Sequence, residues 1–338
     1  MRHCRQTGSK AKGFSLVELM VSIVLGLIII GGAASVYLAS KRSMTEGEQV
    51  AAISENGRFA LQLLNSAVRH VGFFGGSRPV DIREDGSLGA VTGDCTGDAA
   101  AYDTENAMFA VRATSASVLG CINDALPNTD VLVIKGVVPS PLYDADPDDP
   151  SATRDGAISF PTGLSAQDVY VISNSESGIL LDGADTAPSV SVGTEFAQGV
   201  AWPYRMQIYY IRNAATPTLS RKVLEWDTTS GAMAVQTQDL VQGVENIHYL
   251  FSYDSDNDGE VDTLGDAQEV ETADAWDLVM SLQVFMLVRS DVADPNYTDE
   301  KTYTLGDLSV TPGGNVRRIL LNTDIAMRNP RLVLRGGA

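Results

Sequence analysis

The sequence predicts an α+β protein in which one long N-terminal helix is followed by a mainly antiparallel β-domain. Two observations predict the helix. The first is an uncharged run of 22 residues from Leu19 to Ser40, and the second is a polar continuation in which apolar residues recur every three or four positions. The third observation concerns the remainder of the chain, where short β-branched and aromatic segments alternate with turn residues.

The uncharged run is long enough to cross a membrane. As a helix it spans about 33 Å, against a hydrocarbon core of about 30 Å. Four basic residues precede it without any acidic residue: Arg2, Arg5, Lys10 and Lys12. We therefore predict a transmembrane helix over residues 14–40. Because basic flanks stay on the cytoplasmic side, the domain that follows the helix should be exported.

A more polar, amphipathic helix is predicted over residues 41–72. Its apolar stripe should pack on the domain that follows, residues 73–338. The members of this stripe are Ile53, Ala60, Leu63, Leu64, Ala67, Val68 and Val71. The pair Asn56-Gly57 interrupts the pattern and is expected to weaken or bend the helix.

The β-domain is predicted from a series of short segments. A short helix is expected near residues 107–112, and an exposed loop at the proline- and aspartate-rich residues 139–150. Residues 316–327 fit a strand or a short helix equally well. The predicted strands are 131–135, 158–160, 169–173, 179–181, 205–212, 221–226, 232–236, 244–253 and 278–289.

The charge balance excludes one class of partner. The formal charge is −19, and loss of the four basic residues near the N-terminus would take it to −23. Binding to nucleic acid by electrostatics needs a basic face, so we expect none. Grouped acidic side chains could instead bind divalent cations, although solubility outside the cytoplasm explains most of these charges equally well.

An acidic segment after residue 253 resembles the first half of an EF-hand calcium loop. Oxygen ligands at alternating positions are followed by Gly259, which suits a sharp turn. The predicted calcium ligands are Asp254, Asp256, Asp258, Glu260 and Asp262. The twelfth position is Gly265 where an EF-hand has Glu, so Asp262, Asp266 or Glu269 would have to substitute. The alternative is a solvated acidic hairpin.

The cysteines predict one disulfide. Cys4 lies in the basic N-terminal segment, and Cys95 and Cys121 lie 26 positions apart in the exported part. Such a domain occupies an oxidising compartment, so we predict a Cys95–Cys121 bond contributing about 3 kcal/mol. A zinc site would need further ligands, and neither His70 nor His248 lies near a cysteine in sequence.

No catalytic motif is present. The sequence contains no HExxH, Walker loop, GxGxxG or GxSxG pattern, so an enzyme is not expected.

The segment that begins Gly13-Phe14-Ser15-Leu16-Val17-Glu18 resembles the class III signal of type IV prepilins and pseudopilins. This resemblance implies that residues 1–13 are a leader, that a prepilin peptidase cuts after Gly13, and that Phe14 is then methylated. It also implies an assembly role for Glu18, an ionisable residue at membrane depth. The alternative is a simple membrane anchor with an incidental glutamate.

The C-terminal third carries a second resemblance. Residues 241–253 lead into the acidic loop, and an apolar strand ending at Ser290 and residues 315–329 follow. This order resembles the PilW family of type IV pilus minor pilins and is similar to J-type minor pseudopilins. The resemblance implies a pilin-like fold and a minor pilin of the initiation or tip complex.

The family also implies partners and a location. The partners are the prepilin peptidase, other minor pilins, the major pilin, a tip adhesin and an inner-membrane assembly platform. The chain would span the inner membrane once with its C-terminal domain in the periplasm, and then join the pilus at the cell surface. Two alternatives stay open: a minor pseudopilin of type II secretion, and a membrane-anchored, calcium-dependent hydrolase or adhesin whose leader is not cut.

Overall fold

The computed structural model describes residues 13–256 and 258–327. The chain divides into two units, residues 1–51 and 52–338. One unbroken helix, α1 (Leu16–Val68), begins in the first unit and ends in the second.

In the first unit, α1 presents apolar side chains to its surroundings. Ser15 caps the helix, because its Oγ accepts a hydrogen bond from the backbone N–H of Glu18 at 3.2 Å. Large apolar side chains from Phe14 to Leu38 are exposed, with Ile29 at 70%. By length and composition this is the one described helix that could cross a membrane, although an N-terminal signal sequence passes the same test.

In the second unit, α1 buries a stripe on one face. The buried positions are Ile53, Gly57, Ala60, Leu64 and Val68. The helix continues through Asn56-Gly57, which was expected to weaken or bend it. A Cβ at Gly57 would overlap the side chain of Leu321 and lie 3.1 Å from Cγ2 of Val288, so glycine permits close packing at this point. The chain leaves the helix through Gly72, whose φ of 73° is in the left-handed region.

The larger sheet has eight strands and is antiparallel except at one pair. Its strands are β1 (Ile82–Glu84), β2 (Met108–Arg112), β3 (Asp130–Val137), β4 (Val169–Ser173), β5 (Gly178–Asp182), β6 (Val200–Arg212), β7 (Thr218–Asp227) and β8 (Ala232–Gln242). The order is β1-β5-β4-β6-β3-β2, with β7 pairing β6 and β8 pairing β7. Only β1 and β5 run parallel among the described pairs.

The smaller sheet has four strands in the order β10-β9-β11-β14, all antiparallel. Its strands are β9 (Val244–Tyr253), β10 (Thr263–Gly265), β11 (Val279–Arg289) and β14 (Arg318–Ala326). A short helix, α2 (Ala267–Ala273), follows β10. A hairpin of β12 (Tyr303–Leu305) and β13 (Leu308–Val310) lies between β11 and β14 in sequence. The long helix and the antiparallel sheets confirm the α+β class.

Two predicted elements are wrong, and one ambiguity is settled. Within the predicted helix 107–112, residues 108–112 form the strand β2, because they pair with β3 and a segment this short gains little from helical bonds alone. Residues 158–160 form no strand, and only Phe160 bridges to Tyr143. The C-terminal segment is the strand β14, which pairs with β11 from Arg318 to Ala326.

The main core lies where the buried stripe of α1 meets side chains from both sheets. Trp276 joins them, since its ring is 5.1 Å from Phe251 of β9 and 6.4 Å from Phe109 of β2. Smaller apolar clusters lie around Ile172 of β4 and under the β12–β13 hairpin. The main core therefore ties the two sheets to the second half of α1, and two smaller clusters lie apart from it.

Candidate functional site

The N-terminal residues have the geometry of an exposed helix start. Phe14 is 75% exposed, and α1 begins two residues later. No described atom lies within 4 Å of a Cβ added at Gly13. The fold itself therefore does not require glycine at residue 13, and a requirement for it would come from an enzyme that recognises this junction.

Glu18 lies in the first turn of α1. A negative charge in this turn interacts favourably with the positive end of the helix dipole. The hydrogen bond from its backbone N–H to Ser15 also makes it part of the helix cap. A local role at the helix terminus and a role toward another subunit therefore both fit this position, and they have to be separated by experiment.

The acidic loop after β9 brings three of the five predicted ligands together. Carboxylate oxygens of Asp254, Asp256 and Asp262 lie within 4.8 Å of one another. Asp258 and Glu260 are outside this group. The Oδ1 of Asp258 accepts a hydrogen bond from the N–H of Glu260 at 2.8 Å. Asn257, in the same loop, lies outside the described residues.

Hydrogen bonds within the protein hold this loop. Buried Asp254 accepts from the N–H groups of Asp258 at 3.1 Å and Gly259 at 2.6 Å. The charge of Asp258 raises the pKa of Asp256, while a hydrogen bond from the Ser255 backbone and then one from Thr263 lower the pKa of Asp262. The group has the oxygen chemistry that suits Ca²⁺, and calcium binding stays a prediction.

Two of the three residues proposed for the twelfth EF-hand position form the N-terminal cap of α2 instead. Asp266 caps α2 by accepting from the N–H of Glu269 at 2.9 Å, and Glu269 accepts from the N–H of Asp266 at 3.0 Å. Asp262 is the candidate that lies within the carboxylate group. The loop thus lies between the strands β9 and β10, and α2 follows β10.

The predicted disulfide is present. The sulfur atoms of Cys95 and Cys121 are bonded, and both residues are buried. Beside the bond, the N–H of Thr96 donates to the carbonyl of Leu119 at 2.9 Å. The bond therefore ties two segments that contain little regular structure.

A charged cluster that the sequence did not reveal lies at the contact of the two sheets. Buried His248 of β9 has Nδ1 2.6 Å from Oδ2 of Asp130 and Nε2 2.7 Å from Oδ1 of Asp307. Ionised carboxylates only accept hydrogen bonds, so one on each side of the ring favours the doubly protonated, charged imidazole. Burial lowers the pKa of His248, but the hydrogen bonds and charges of Asp130 and Asp307 raise it above its ordinary value.

Asp130 is the centre of this cluster. It also accepts from Nη1 of Arg112 at 2.9 Å and from the N–H of Tyr249 at 3.0 Å. An aspartate directly before an apolar strand and a histidine within another strand were the available signals in the sequence. Their pairing could not be predicted, because 118 positions separate them.

Two comparisons with known families bear on this arrangement. Residues 208–329, which run from within β6 to beyond β14, match the family model PilW, type IV pilus-assembly protein W. Residues 8–34 match the prokaryotic N-terminal methylation motif. No curated protein and no solved structure matches the chain. Both resemblances seen in the sequence are thereby confirmed, one at each end of the chain.

Proposed function

We propose, on the premise that this chain is a PilW-type minor pilin of type IV pilus assembly, that it acts in the initiation or tip complex of the pilus. The observation that carries the proposal is the position of Glu18 in the first turn of an exposed apolar helix, directly after the Gly13–Phe14 junction. Cleavage at this junction would give Phe14 a free amino group four residues from Glu18.

The proposed role of Glu18 follows from the cost of burying charge. Among packed apolar helices, the amino group of Phe14 and the Glu18 carboxylate would each lose their water. Paired between neighbouring subunits, the two charges offset one another, and removing one partner of such a pair typically costs about 3–5 kcal/mol. Glu18 would in this way set the register of subunits. Membrane insertion does not need it, since the 22 uncharged residues suffice.

The proposal includes the partners and the location that the family implies. The chain would be processed by the prepilin peptidase at Gly13 and held in the inner membrane by residues 14–40. Its β-domain, residues 73–338, would lie in the periplasm before entering the pilus. Other minor pilins, the major pilin, a tip adhesin and the inner-membrane platform would contact it. A structural role of this kind requires no catalytic group.

The test separates assembly from helix capping. Glu18→Ala and Glu18→Gln should both leave export and cleavage intact and reduce recovery of partner pilins in pull-downs. Glu18→Gln is informative because the glutamine keeps the shape of the first turn but loses the charge. Ser15→Ala is the matched control, since it removes the cap while keeping Glu18, and it should retain assembly.

Three outcomes would contradict the proposal. Normal piliation and full partner recovery with both Glu18 variants would remove the assembly role of this residue. Recovery of type II secretion components in place of pilus components would assign the chain to a pseudopilin complex. A chain that still begins at Met1 in the cell, outside any filament, would favour a membrane-anchored hydrolase or adhesin.

A further inference from the structure

A groove of about 220 Å³ lies between the last turns of α1 and the sheet face formed by β3, β6 and β7. The lining residues that matter for its chemistry are Leu63, His70, Pro139, Arg205, Gln207 and Arg221. No aspartate or glutamate among the described residues lines it. In a chain of formal charge −19, a groove with two arginines and no acidic side chain is a distinct electrostatic feature.

Arg205 is available to a ligand. Its side chain is exposed, and no described residue accepts a hydrogen bond from its guanidinium or forms an ion pair with it. Lys135 also lines the groove, but its Nζ is turned to the carbonyl oxygens of Asp98 and Asp103. The unengaged cation of the groove is therefore the planar guanidinium, the group best matched to a carboxylate.

Hydrogen bonds to the neighbouring strand β8 hold the guanidinium of Arg221 in place. Its Nε and Nη2 donate to Oε1 of Gln238 at 3.0 and 2.8 Å, and Gln238 in turn donates to Glu225 at 2.7 Å. These bonds fix the direction of the guanidinium before any ligand arrives. Such preorganisation lowers the entropy lost on binding.

Gln207 adds a donor. The residue is only 7% exposed, and its Oε1 accepts the hydroxyl hydrogen of Tyr209 at 3.0 Å. This hydrogen bond orients the side-chain amide, whose N–H groups can donate to an oxygen ligand in the groove.

Arg205, Arg221 and Gln207 all line this groove. Arg205, Gln207 and Tyr209 alternate along β6 and so share one face, and Tyr209 is the register partner of Arg221 on β7. Burial raises the pKa of Tyr209, while the hydrogen bond and charge of Arg221 and the charge of Arg205 oppose this rise. Both guanidinium groups therefore lie near the same hydroxyl.

An adjoining cavity of about 390 Å³ shares these arginines but also contains Asp168 and Glu225. Their negative charges would repel an anion there and favour the smaller groove.

We propose that the 220 Å³ groove binds a carboxylate, supplied by an aspartate or glutamate side chain of a neighbouring pilin subunit. The apolar walls at Leu63 and Pro139 suit the methylene groups of such a side chain.

A protein partner is favoured by the continuity of α1. The helix whose last turns form one wall of the groove is the same helix whose first turns carry Glu18. A subunit packed against the last turns of this helix would bring its own side chains to the groove. The inference thus rests on the proposed assembly function and names the chemistry of one contact within it.

The first experiment uses the full-length mature chain in detergent micelles and needs no assembly. The probe is a tetraglutamate peptide carrying an uncharged dye, with tetraglutamine as the neutral control, and fluorescence anisotropy at low ionic strength gives the affinity. Arg205→Ala and Arg221→Ala should each weaken binding of tetraglutamate about tenfold, since each removes a charge-assisted hydrogen bond. Added salt should weaken it as well.

Arg154→Ala is the matched control, because Arg154 is also exposed but lines a different cavity, and it should bind as the wild type does. Equal binding of both peptides, or unchanged binding by Arg205→Ala, would overturn the proposal. Binding of polygalacturonate but not of tetraglutamate would overturn the assignment to a protein partner. Thermal melting of Arg205→Ala should match the wild type, since this exposed side chain makes no hydrogen bond or ion pair with the described residues.

The second experiment measures assembly in cells. Arg205→Glu should reduce recovery of partner pilins while leaving processing at Gly13 intact. If Glu18→Ala abolishes partner recovery and Arg205→Glu does not, the groove inference fails and the assembly function stands. If neither variant affects recovery, the assembly function fails, and the peptide assay alone then decides the carboxylate site.

Discussion

The Oδ2 atom of Asp130 lies 2.6 Å from Nδ1 of His248, and this contact joins β3 of the larger sheet to β9 of the smaller one. Both residues are buried. Arg112, whose Nη1 lies 3.4 Å from the same ring nitrogen, shares Asp130 and offsets part of its charge. On the other side, Asp307 connects the ring to the turn of the β12–β13 hairpin. The imidazole of His248 therefore connects β3, β9 and the β12–β13 hairpin within the β-domain.

The first prediction concerns pH. The folded-state pKa of His248 is raised, so its contribution to stability is complete below the unfolded value of about 6.5 and is lost as pH rises through the folded pKa. The free energy of unfolding, measured by urea denaturation, should fall over this range. His248→Gln should lower stability by about 2 kcal/mol in acid and flatten the pH profile.

Two further variants control for this effect. Asp307→Asn should remove part of the pH dependence, because Asp130 remains against the other ring nitrogen. His70→Gln changes an exposed histidine and should leave the profile as it is. Parallel profiles for the wild type and His248→Gln would show that the dependence comes from other groups.

The second prediction concerns Gly57. In an exposed helix, Gly→Ala gains about 1 kcal/mol from helix propensity, but here the new Cβ overlaps Leu321. Overpacking of this kind costs about 1–3 kcal/mol, so Gly57→Ala should not stabilise the head and Gly57→Val should destabilise it. Gly47→Ala is the matched control, since Gly47 lies on the same helix with no atom within 4 Å of the added Cβ.

A double-mutant cycle checks the mechanism. Leu321→Ala frees space on β14 and should restore most of the stability lost in Gly57→Val, giving a coupling of about 1 kcal/mol or more in urea denaturation. Simple additivity of the two changes would mean that Gly57 does not act through Leu321.

The third prediction concerns the disulfide. Replacing Cys95 and Cys121 together by Ser should lower the free energy of unfolding by about 3 kcal/mol, because the bond closes a loop of 26 positions in the unfolded chain. Reduction of the wild type should cause a similar loss, and the double variant should be insensitive to reductant. Two free thiols in protein isolated from cells without reductant would contradict the pairing.

The fourth prediction concerns calcium. If the group of Asp254, Asp256 and Asp262 binds Ca²⁺ only when folded, the ion should raise the melting temperature by mass action, and Mg²⁺ should do so less. The double variant Asp256→Asn/Asp262→Asn should abolish the shift. The matched control, Asp146→Asn/Asp148→Asn, removes the same charge from another acidic loop. If calorimetry detects no heat of binding and the melting temperature does not change at about millimolar calcium, the acidic-hairpin interpretation stands.

Features that depend on neighbouring residues could be predicted from the amino-acid order. The uncharged run, its basic flank and the Glu18 position define the N-terminal helix locally, and β4 and β9 have the limits that β-branched and aromatic patterning predicts. The two cysteines left outside the basic segment allowed one pairing. Where a pattern was too short, as at residues 107–112, pairing with β3 outweighed local preference and made a strand.

The contacts between distant side chains became visible only in the folded chain. Gly57 looked like a weak point in the helix, whereas its missing Cβ leaves space that the side chain of Leu321 on β14 occupies. Asp130 with His248, and Arg205 with Arg221, become neighbours through strand register and sheet contact. The physical reason is that periodicity along a chain reports which face of an element is buried. The partner across that face is set by the closure of long loops, which leaves no local pattern.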